Sequence, residues 1–233
     1  MYYTESLCLE AGVSHFIRVF EEAAALKPRV LATKRLLDVL AASLGLALLA
    51  VPMMIILVLV RVKLGSPGIF RQMRPGRDGE PFQMFKFRTM TDERDPHGNL
   101  LPDGQRLTGI GHLLRSTSLD ELPELWNVLV GDMSLVGPRP LLMRYTPYFT
   151  DEEATRLSVR PGITGWAQIN GRNRSSWDSR LASDVWYVRH LSIWLDVKIL
   201  LRTLFGIFGG NDVVVDAESE MQNLDDERMA RPS

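Results

Sequence analysis

Residues 39–60 read VLAASLGLALLAVPMMIILVLV, a run of 22 positions without a charged side chain. A helix of about 20 apolar residues is long enough to span the roughly 30 Å hydrocarbon core of a bilayer. Apolar runs of this length are uncommon in soluble domains, which makes a buried core helix the less favoured interpretation. The run therefore predicts a helix placed in a membrane.

Basic residues flank the run on both sides, with Lys34 and Arg35 before it and Arg61 and Lys63 after it. Because basic residues favour the cytoplasmic side of a membrane, a helix that crosses once leaves one pair on the wrong side. Pro52 lies inside the run, and an internal proline removes a backbone hydrogen bond and kinks a helix. Two interpretations stay open here: a kinked single crossing, and a bent helix that enters and leaves by the same face.

The composition excludes several classes of protein. With 45% hydrophobic and 24% charged residues, the 233-residue chain is typical of folded proteins and fits one domain with an accessory segment. Its net charge of -1 provides no overall basic field, so we predict no nucleic-acid partner. The single cysteine, Cys8, excludes an internal disulfide and suits a reducing compartment. Residues 1–32 contain no continuous apolar run and predict no cleaved secretory signal.

Turn signals and alternation predict a β-hairpin within residues 70–90. A Pro-Gly and an Asp-Gly pair lie at 75–79, and the sequence FKFR at 85–88 has the period of a strand. This period places Lys86 and Arg88 on one face, for which a solvated basic face is the favoured interpretation. Helical patterning predicts two short helices further along, near 110–115 and 122–129.

The C-terminal part contains a second apolar stretch and a charged tail. Residues 184–208 are interrupted by charges and predict an amphipathic helix at a membrane surface, with Trp186, Tyr187 and Trp194 as interfacial aromatics. A core helix of the soluble domain explains the same pattern equally well. Residues 211–233 carry seven acidic and two basic residues and predict a disordered tail.

Residues 115–123 (RSTSLDELP) concentrate hydroxyls and two adjacent carboxylates ahead of a predicted helix. Ser118 and Glu121 have the spacing of a capping box, which explains part of this pattern structurally. Pro123 fits poorly inside a helix, so either the first turn is distorted or the helix begins at this proline. In both cases Asp120 lies near a helix N-terminus, where we expect it to stay ionised and to be able to act as a nucleophile.

Arginines in loops rich in proline and glycine complete the set of candidate site residues. Arg139, Arg160 and Arg172 lie in such loops, and Arg115 precedes the acidic pair. Rigid loops suit guanidinium groups that bind phosphate through two hydrogen bonds. Carboxylates, arginines and glycines together indicate phosphoryl transfer assisted by magnesium. The four histidines lack metal-ligand spacing, and no phosphate-binding Walker loop, GxSxG or GxGxxG motif follows a predicted strand.

Eight short segments occur through the chain in a characteristic order. They are KRLLD at 34–38, RPG at 74–76, FKFRTM at 85–90, SLDEL at 118–122, GDMS at 131–134, VGPRP at 136–140, RPGITGW at 160–166 and NGRN at 170–173. In these segments and their order the run from Lys34 to Phe208, about three quarters of the chain, resembles the bacterial sugar transferases, the small monotopic phosphoglycosyl transferases that start glycan assembly on a polyprenyl carrier.

The resemblance implies that a phosphosugar passes from a UDP-sugar to polyprenyl (undecaprenyl) phosphate, with release of UMP, as the first membrane step of glycan assembly. It implies that Asp120 attacks the sugar-bearing phosphorus to form a covalent intermediate, and that Glu121 positions or deprotonates the acceptor. Magnesium is expected at Asp120. The expected substrate-binding residues are Lys86, Arg115, Arg139 and Arg172.

The same resemblance implies an α+β, mostly helical fold. A re-entrant membrane helix broken at Pro52 (34–63) is expected to precede a cytosolic catalytic domain with a short β-hairpin and interfacial amphipathic helices (64–210). An N-terminal extension (1–33) and the tail (211–233) flank these two parts. The family often has serine before this proline, whereas the present chain has Val51. The implied location is the cytoplasmic face of the bacterial inner membrane, and the expected partners include membrane lipids, a second copy of the chain and downstream glycosyltransferases.

Two other functions remain compatible with the residues. One is a membrane-anchored scaffold that recruits other glycan enzymes without catalysis. The other is a nucleotide-sugar diphosphatase that uses the same carboxylates and releases UMP without a lipid acceptor. The transferred sugar is left open, because the loop shapes that recognise a sugar ring do not follow from sequence.

Overall fold

A computed structural model describes residues 28–170, 176–208 and 223–230. In this part of the chain the fold is α+β and mostly helical, as predicted. The helices are α1 (Pro28–Leu64), α2 (Asp103–Arg106), α3 (Gly109–Ser116), α4 (Glu124–Val130), α5 (Asp151–Ala154), α6 (Trp166–Asn170), α7 (Trp177–Arg189), α8 (Ile193–Phe208) and α9 (Leu224–Ala230). The strands are β1 (Ile69–Pro75), β2 (Pro81–Phe87), β3 (Ser134–Val136) and β4 (Gly162–Thr164).

Helix α1 contains the apolar run and extends over 37 residues. It begins at Pro28, earlier than the predicted start at 34, since proline suits the first turn of a helix. By length and composition it is able to cross a membrane, and only 6% of its most apolar window is buried inside the protein. A core helix of a soluble domain would be mostly covered. The predicted N-terminal extension before Pro28 lies outside the described residues.

Both halves of α1 pack against the same folded domain. In the first half, Ala42 is fully buried against Phe82 and Val128. In the second half, Val60 is fully buried in a cluster with Phe87. The helix is therefore attached to the domain at two separate places, with most of the exposed apolar side chains on the segment between and around them.

Polar contacts explain the motif at residues 34–38. Lys34 Nζ lies 2.6 Å from Asp196 Oδ2, and both side chains are buried. Asp38 Oδ1 accepts a hydrogen bond from the backbone N–H of Leu135 at 3.0 Å. Arg35 donates two hydrogen bonds to carbonyl groups in the last turn of α4, where helix carbonyls lack partners of their own. These contacts fix the start of α1 against the domain.

The predicted hairpin is confirmed. Strands β1 and β2 pair antiparallel, from Ile69 opposite Phe87 to Pro75 opposite Pro81. A second pair, β3 and β4, runs parallel and was not predicted, because three-residue strands leave too short a pattern to detect.

The stretch 184–208 differs from its prediction as a single interfacial helix. It contains the end of α7 and all of α8, and Ser192 Oγ accepts the backbone N–H of Leu195 near the start of the second helix. Tyr187 is fully buried and donates a 2.6 Å hydrogen bond to Asp196, so its predicted interfacial position is wrong. Trp194, with 78% of its surface exposed, is compatible with an interfacial position.

The prediction of a disordered tail is wrong for residues 223–230. Helix α9 buries Leu224 completely against Tyr145 and Trp177. Arg228 of the same helix pairs with Glu153 at 2.6 Å. The acidic composition indicated disorder because it does not show that Leu224 is buried or that charges of α9 have partners on the domain. The rest of the predicted tail lies outside the described residues.

Candidate active site

The acidic pair lies in a 3-10 turn, Leu119–Glu121, between α3 and α4. Ser118 precedes the turn with φ 57° and makes no capping hydrogen bond, so the predicted capping box is wrong. A left-handed residue other than glycine is unfavourable, and here it lies between the end of α3 and the turn that carries the acidic pair. Helix α4 begins after Pro123, which confirms the difficulty of placing this proline inside the helix.

The Asp120 side chain is largely buried, with 8% of the residue exposed. Within the described part of the chain its carboxylate accepts no hydrogen bond and forms no ion pair. Burial raises the pKa of Asp120 above that of an ordinary aspartate, and Glu121 adds to this effect. Lys86, Arg139 and Arg115 act in the opposite direction but do not outweigh burial. A nearby helix N-terminus is expected to keep Asp120 ionised, which would lower its pKa. Burial has the larger effect, and the pKa rises.

Glu121 is held by two cations. Lys86 Nζ and Arg139 Nη2 both donate to its Oε1, at 2.6 and 2.8 Å. Burial alone would raise the pKa of Glu121, but Arg139 and Lys86 outweigh it and hold the pKa at about 2. Charge-assisted hydrogen bonds of this kind favour the ionised form. Glu121 is consequently a fixed anion that orients two cations next to Asp120.

Glu124 is a third carboxylate of this cluster that the sequence analysis missed. It is buried, and one of its oxygens lies 3.2 Å from Lys86 Nζ. Burial, opposed by Lys86 and supported by Glu121, raises the pKa of Glu124 to about 7. Residues three apart on a helix are neighbours, so the spacing between Glu121 and Glu124 could have indicated that the two carboxylates lie close together.

Lys86 reaches the carboxylates because Asn127 joins β2 to α4. The buried Asn127 side chain accepts the backbone N–H of Phe85 at 3.1 Å and donates to the carbonyl of Gln83 at 2.7 Å. The favoured interpretation of a solvated basic face is therefore wrong for Lys86. Arg88 pairs instead with the exposed Asp92, away from the acidic pair.

Arg139 is positioned through its backbone. Its carbonyl accepts a 2.6 Å hydrogen bond from Arg156, whose guanidinium is buried and paired with Asp184 at 2.8 Å. Close backbone packing fixes the same loop, because a Cβ on Gly162 would lie 2.0 Å from the backbone nitrogen of Gly137. The glycines of the two loop motifs are thus required for the contact between the loops.

The other predicted arginines have different positions. Arg115 donates from Nε to Thr89 Oγ1 at 3.1 Å and belongs to the electrostatic surroundings of Asp120. Arg160 donates to the carbonyl of Gly131 at 2.7 Å and is among the neighbours of Arg35 rather than of the acidic pair. Arg172 lies outside the described residues.

The described residues fit a magnesium ion only if a single carboxylate and the substrate phosphates bind it together. No cluster of three acidic, histidine or cysteine side chains able to hold a metal occurs in the described residues. Among the described residues no side chain is bonded to the Asp120 carboxylate, whereas Glu121 is bound by two cations. Magnesium commonly binds one or two carboxylates together with substrate phosphate oxygens, and Asp120 fits the first part of such a site.

The cluster combines a desolvated carboxylate, unpaired within the part of the chain that the structure describes, with three cations in its immediate electrostatic surroundings. Such cations stabilise the charge of a phosphoryl group in the transition state, and the carboxylate is able to attack its phosphorus. The geometry therefore suits nucleophilic phosphoryl transfer.

The chain is similar to several proteins described as sugar or galactosyl transferases. The Bacillus subtilis protein described as an uncharacterized sugar transferase, EpsL, is 57% identical over 171 residues, covering 73% of this chain and 85% of the relative. A UDP-glucose:undecaprenyl-phosphate glucose-1-phosphate transferase of Caulobacter vibrioides is 44% identical, covering 73% of this chain and 68% of the relative. The galactosyl transferase CpsE of Streptococcus agalactiae is 40% identical, covering 75% of this chain and 42% of the relative.

The model of the family described as bacterial sugar transferase matches residues 29–210, which contain α1 from its second residue, the acidic pair and every described residue of the cluster around it. The chain belongs to the bacterial sugar transferase family.

Proposed function

We propose that this protein transfers a sugar phosphate from a UDP-sugar to polyprenyl (undecaprenyl) phosphate and releases UMP. The observation that carries the proposal is the buried Asp120 carboxylate, which no other described residue pairs with, among Lys86, Arg115 and Arg139. The Caulobacter relative is named for this reaction with glucose, and its likeness to the present chain supports the same reaction class here. The sugar stays open, since the names of the relatives include both glucose and galactose.

The proposed mechanism has two displacements at one phosphorus. In the first, an oxygen of Asp120 bonds to the phosphorus that carries the sugar, and the bond to UMP breaks. In the second, a phosphate oxygen of the lipid acceptor attacks the same phosphorus, and the aspartyl oxygen leaves as a carboxylate. Lys86, Arg139 and Arg115 are placed to stabilise the charge on the phosphoryl oxygens in both steps.

In this mechanism Glu121 is a positioning residue rather than a base. A carboxylate whose pKa is about 2 is almost always ionised and accepts a proton poorly near neutral pH. Its two hydrogen bonds instead hold the Lys86 and Arg139 side chains together on one oxygen.

We propose that magnesium is held by Asp120 and by the diphosphate of the donor. When bound there, it would reduce the repulsion between the carboxylate and the anionic substrate. The absence of a bonded partner for Asp120 within the described residues supports this assignment.

We further propose that α1 enters and leaves the membrane by one face, bent at Pro52. A straight helix rises about 39 Å over the 26 residues between Lys34 and Val60, more than the roughly 30 Å of hydrocarbon. Both residues nevertheless contact one domain, Lys34 through Asp196 and Val60 through Phe87. A single crossing would place these two contacts on opposite sides of the bilayer.

The basic flanks at both ends of α1 support the cytoplasmic face of the bacterial inner membrane. Exposed apolar side chains of α8, including Trp194, Leu201 and Phe205, are suited to contact the membrane surface. This arrangement would keep the isoprenoid tail of the acceptor in lipid while its phosphate reaches Asp120. Self-association and contact with later glycosyltransferases stay predictions.

The proposal is tested with the purified chain in detergent micelles, radiolabelled UDP-glucose or UDP-galactose, magnesium and undecaprenyl phosphate. We expect label to enter the lipid phase with the wild type and to be lost with Asp120→Asn. Release of UMP at the same rate without the lipid would instead indicate a diphosphatase. Absence of transfer from a panel of UDP-sugars would contradict the proposed function.

A further inference from the structure

A cavity of about 230 Å³ opens beside the acidic pair. Lys86 and Arg139, which bind Glu121, also form part of its wall, so the cavity shares two cations with the surroundings of Asp120. Its lining comes from both strands of the hairpin, from α4, from the loop after β3 and from the start of α7. The lining residues are Arg74, Met84, Lys86, Glu124, Arg139, Pro140, Leu141, Leu142, Tyr145 and Trp177.

The charged part of the wall is cationic. Arg74, Lys86 and Arg139 face it with three positive charges, and Glu124 is the lining carboxylate that opposes them. Burial raises the pKa of Glu124 to about 7, which reduces its compensation of these charges near neutral pH. A cavity with this balance favours an anion over a neutral ligand.

One of these positive charges, on Arg74, has no anionic partner among the described residues. Its Nη2 donates to Gln72 Oε1 at 2.6 Å, while its buried Nε has no hydrogen-bond partner in the described structure. Among the described residues no carboxylate forms an ion pair with Arg74. Burial and repulsion by Arg139 lower the pKa of Arg74 to about 10, although Glu124 opposes this. Arg74 is partly buried, and a guanidinium whose buried Nε lacks a partner beside a second guanidinium is unfavourable unless an anion binds between them.

The rest of the wall is mainly apolar and aromatic. It contains Leu141, Leu142 and the rings of Tyr145 and Trp177, which meet edge to face with centroids 5.4 Å apart. A neutral hexose would leave the cations uncompensated, whereas a nucleotide has a phosphate at one end and a flat ring at the other. The two chemistries of the wall match the two ends of a nucleotide.

We propose that this cavity binds the uridine monophosphate part of the donor, with Arg74 on its phosphate and the Tyr145 and Trp177 side facing its base. This proposal rests on the proposed function. The position agrees with an in-line displacement, in which the leaving UMP lies opposite the attacking carboxylate across the phosphorus. Lys86 and Arg139, which line the cavity and also neighbour Asp120, are then available to both the nucleophile and the leaving group, and Arg74 holds the group that departs.

The test is calorimetric titration of UMP into the full-length protein in detergent micelles. Loss of a charge-assisted hydrogen bond in Arg74→Gln is expected to weaken UMP binding by roughly 10- to 100-fold. Arg71→Gln is the matched control, because Arg71 lies on the same strand but is exposed and absent from the cavity wall. This variant is expected to keep the wild-type affinity. Arg74→Lys retains the charge without the planar fork and is expected to bind UMP with intermediate affinity.

Two results would overturn the proposal: UMP affinity that is equal in Arg74→Gln and Arg71→Gln, or a wild type that does not bind UMP. Uridine without phosphate serves as a second probe, and its weaker binding should be unaffected by Arg74→Gln. These binding measurements do not depend on turnover. Loss of UMP binding by the variant together with no lipid product from the wild type would therefore retain the nucleotide site and reject the transfer reaction.

Discussion

Replacing Glu124 with glutamine tests the buried carboxylate cluster through its pH dependence. The pKa of Glu124 is about 7 in the folded protein, compared with 4.5 for an ordinary glutamate. Below pH 4.5 both the folded and the unfolded chain bind this proton. Between pH 4.5 and about 7 the unfolded chain releases it first, so the free energy of unfolding of the wild type falls as the pH rises.

The magnitude follows from the two pKa values. One pKa unit corresponds to about 1.4 kcal/mol, so the fall from this group is on the order of 3 kcal/mol and is complete above about pH 7. Glutamine cannot ionise, and Glu124→Gln should lack this fall. Glu121 does not interfere, since its pKa of about 2 places its own loss of stabilisation at acidic pH, between about 4.5 and 2.

The assay is urea unfolding in neutral detergent micelles, followed by tryptophan fluorescence at several pH values from about 5 to 8. The stability of Glu124→Gln relative to the wild type should increase across this range. The exposed Glu93→Gln is the matched control and should follow the wild type. Parallel pH profiles for wild type and Glu124→Gln would refute the reasoning, because they would show that burial does not raise this pKa.

Three further changes test the packing around the site. Lys34→Met leaves the buried Asp196 without its cation and should lower the free energy of unfolding by about 3 kcal/mol, measured by urea unfolding; an effect below about 1 kcal/mol would argue against the pair. Leu224→Ala should cost about 2–5 kcal/mol in the same assay, whereas the exposed Met229→Ala should change little, and equal effects would show that α9 does not dock. Gly162→Ala places a Cβ 2.0 Å from a backbone nitrogen and should reduce transferase activity by displacing Arg139, an expectation that unchanged kcat/KM would contradict.

The parts of the fold that were predictable are those with long or sharply punctuated patterns. The apolar run 39–60 predicts α1, and turn pairs around 75–79 predict the hairpin, because these signals depend on neighbouring residues alone. Strands β3 and β4 pair across 28 positions in three-residue segments, which leave no local period. Helix α9 has an acidic sequence whose charges find partners only in the folded domain, so composition indicated disorder instead.

The sequence predicts which residues form the candidate site better than it predicts their pairing and their pKa values. Asp120, Glu121 and Arg139 are brought together as expected from the loop motifs. The pairing of Lys86 with Glu121 depends on a contact between β2 and the turn before α4, which no local pattern reveals. The raised pKa of Asp120 was missed because burial depends on tertiary packing, whereas a helix N-terminus is visible in the sequence.

The central claim is that Asp120 carries the sugar phosphate between donor and acceptor. It is tested most directly by mass spectrometry of the protein after reaction with UDP-sugar and magnesium in the absence of lipid, with rapid acid quenching. We expect, on the peptide that contains Asp120, a mass increase equal to the sugar phosphate of the donor used, absent in Asp120→Asn and removed by undecaprenyl phosphate. Lipid-linked product formed at the normal rate without this adduct would contradict it.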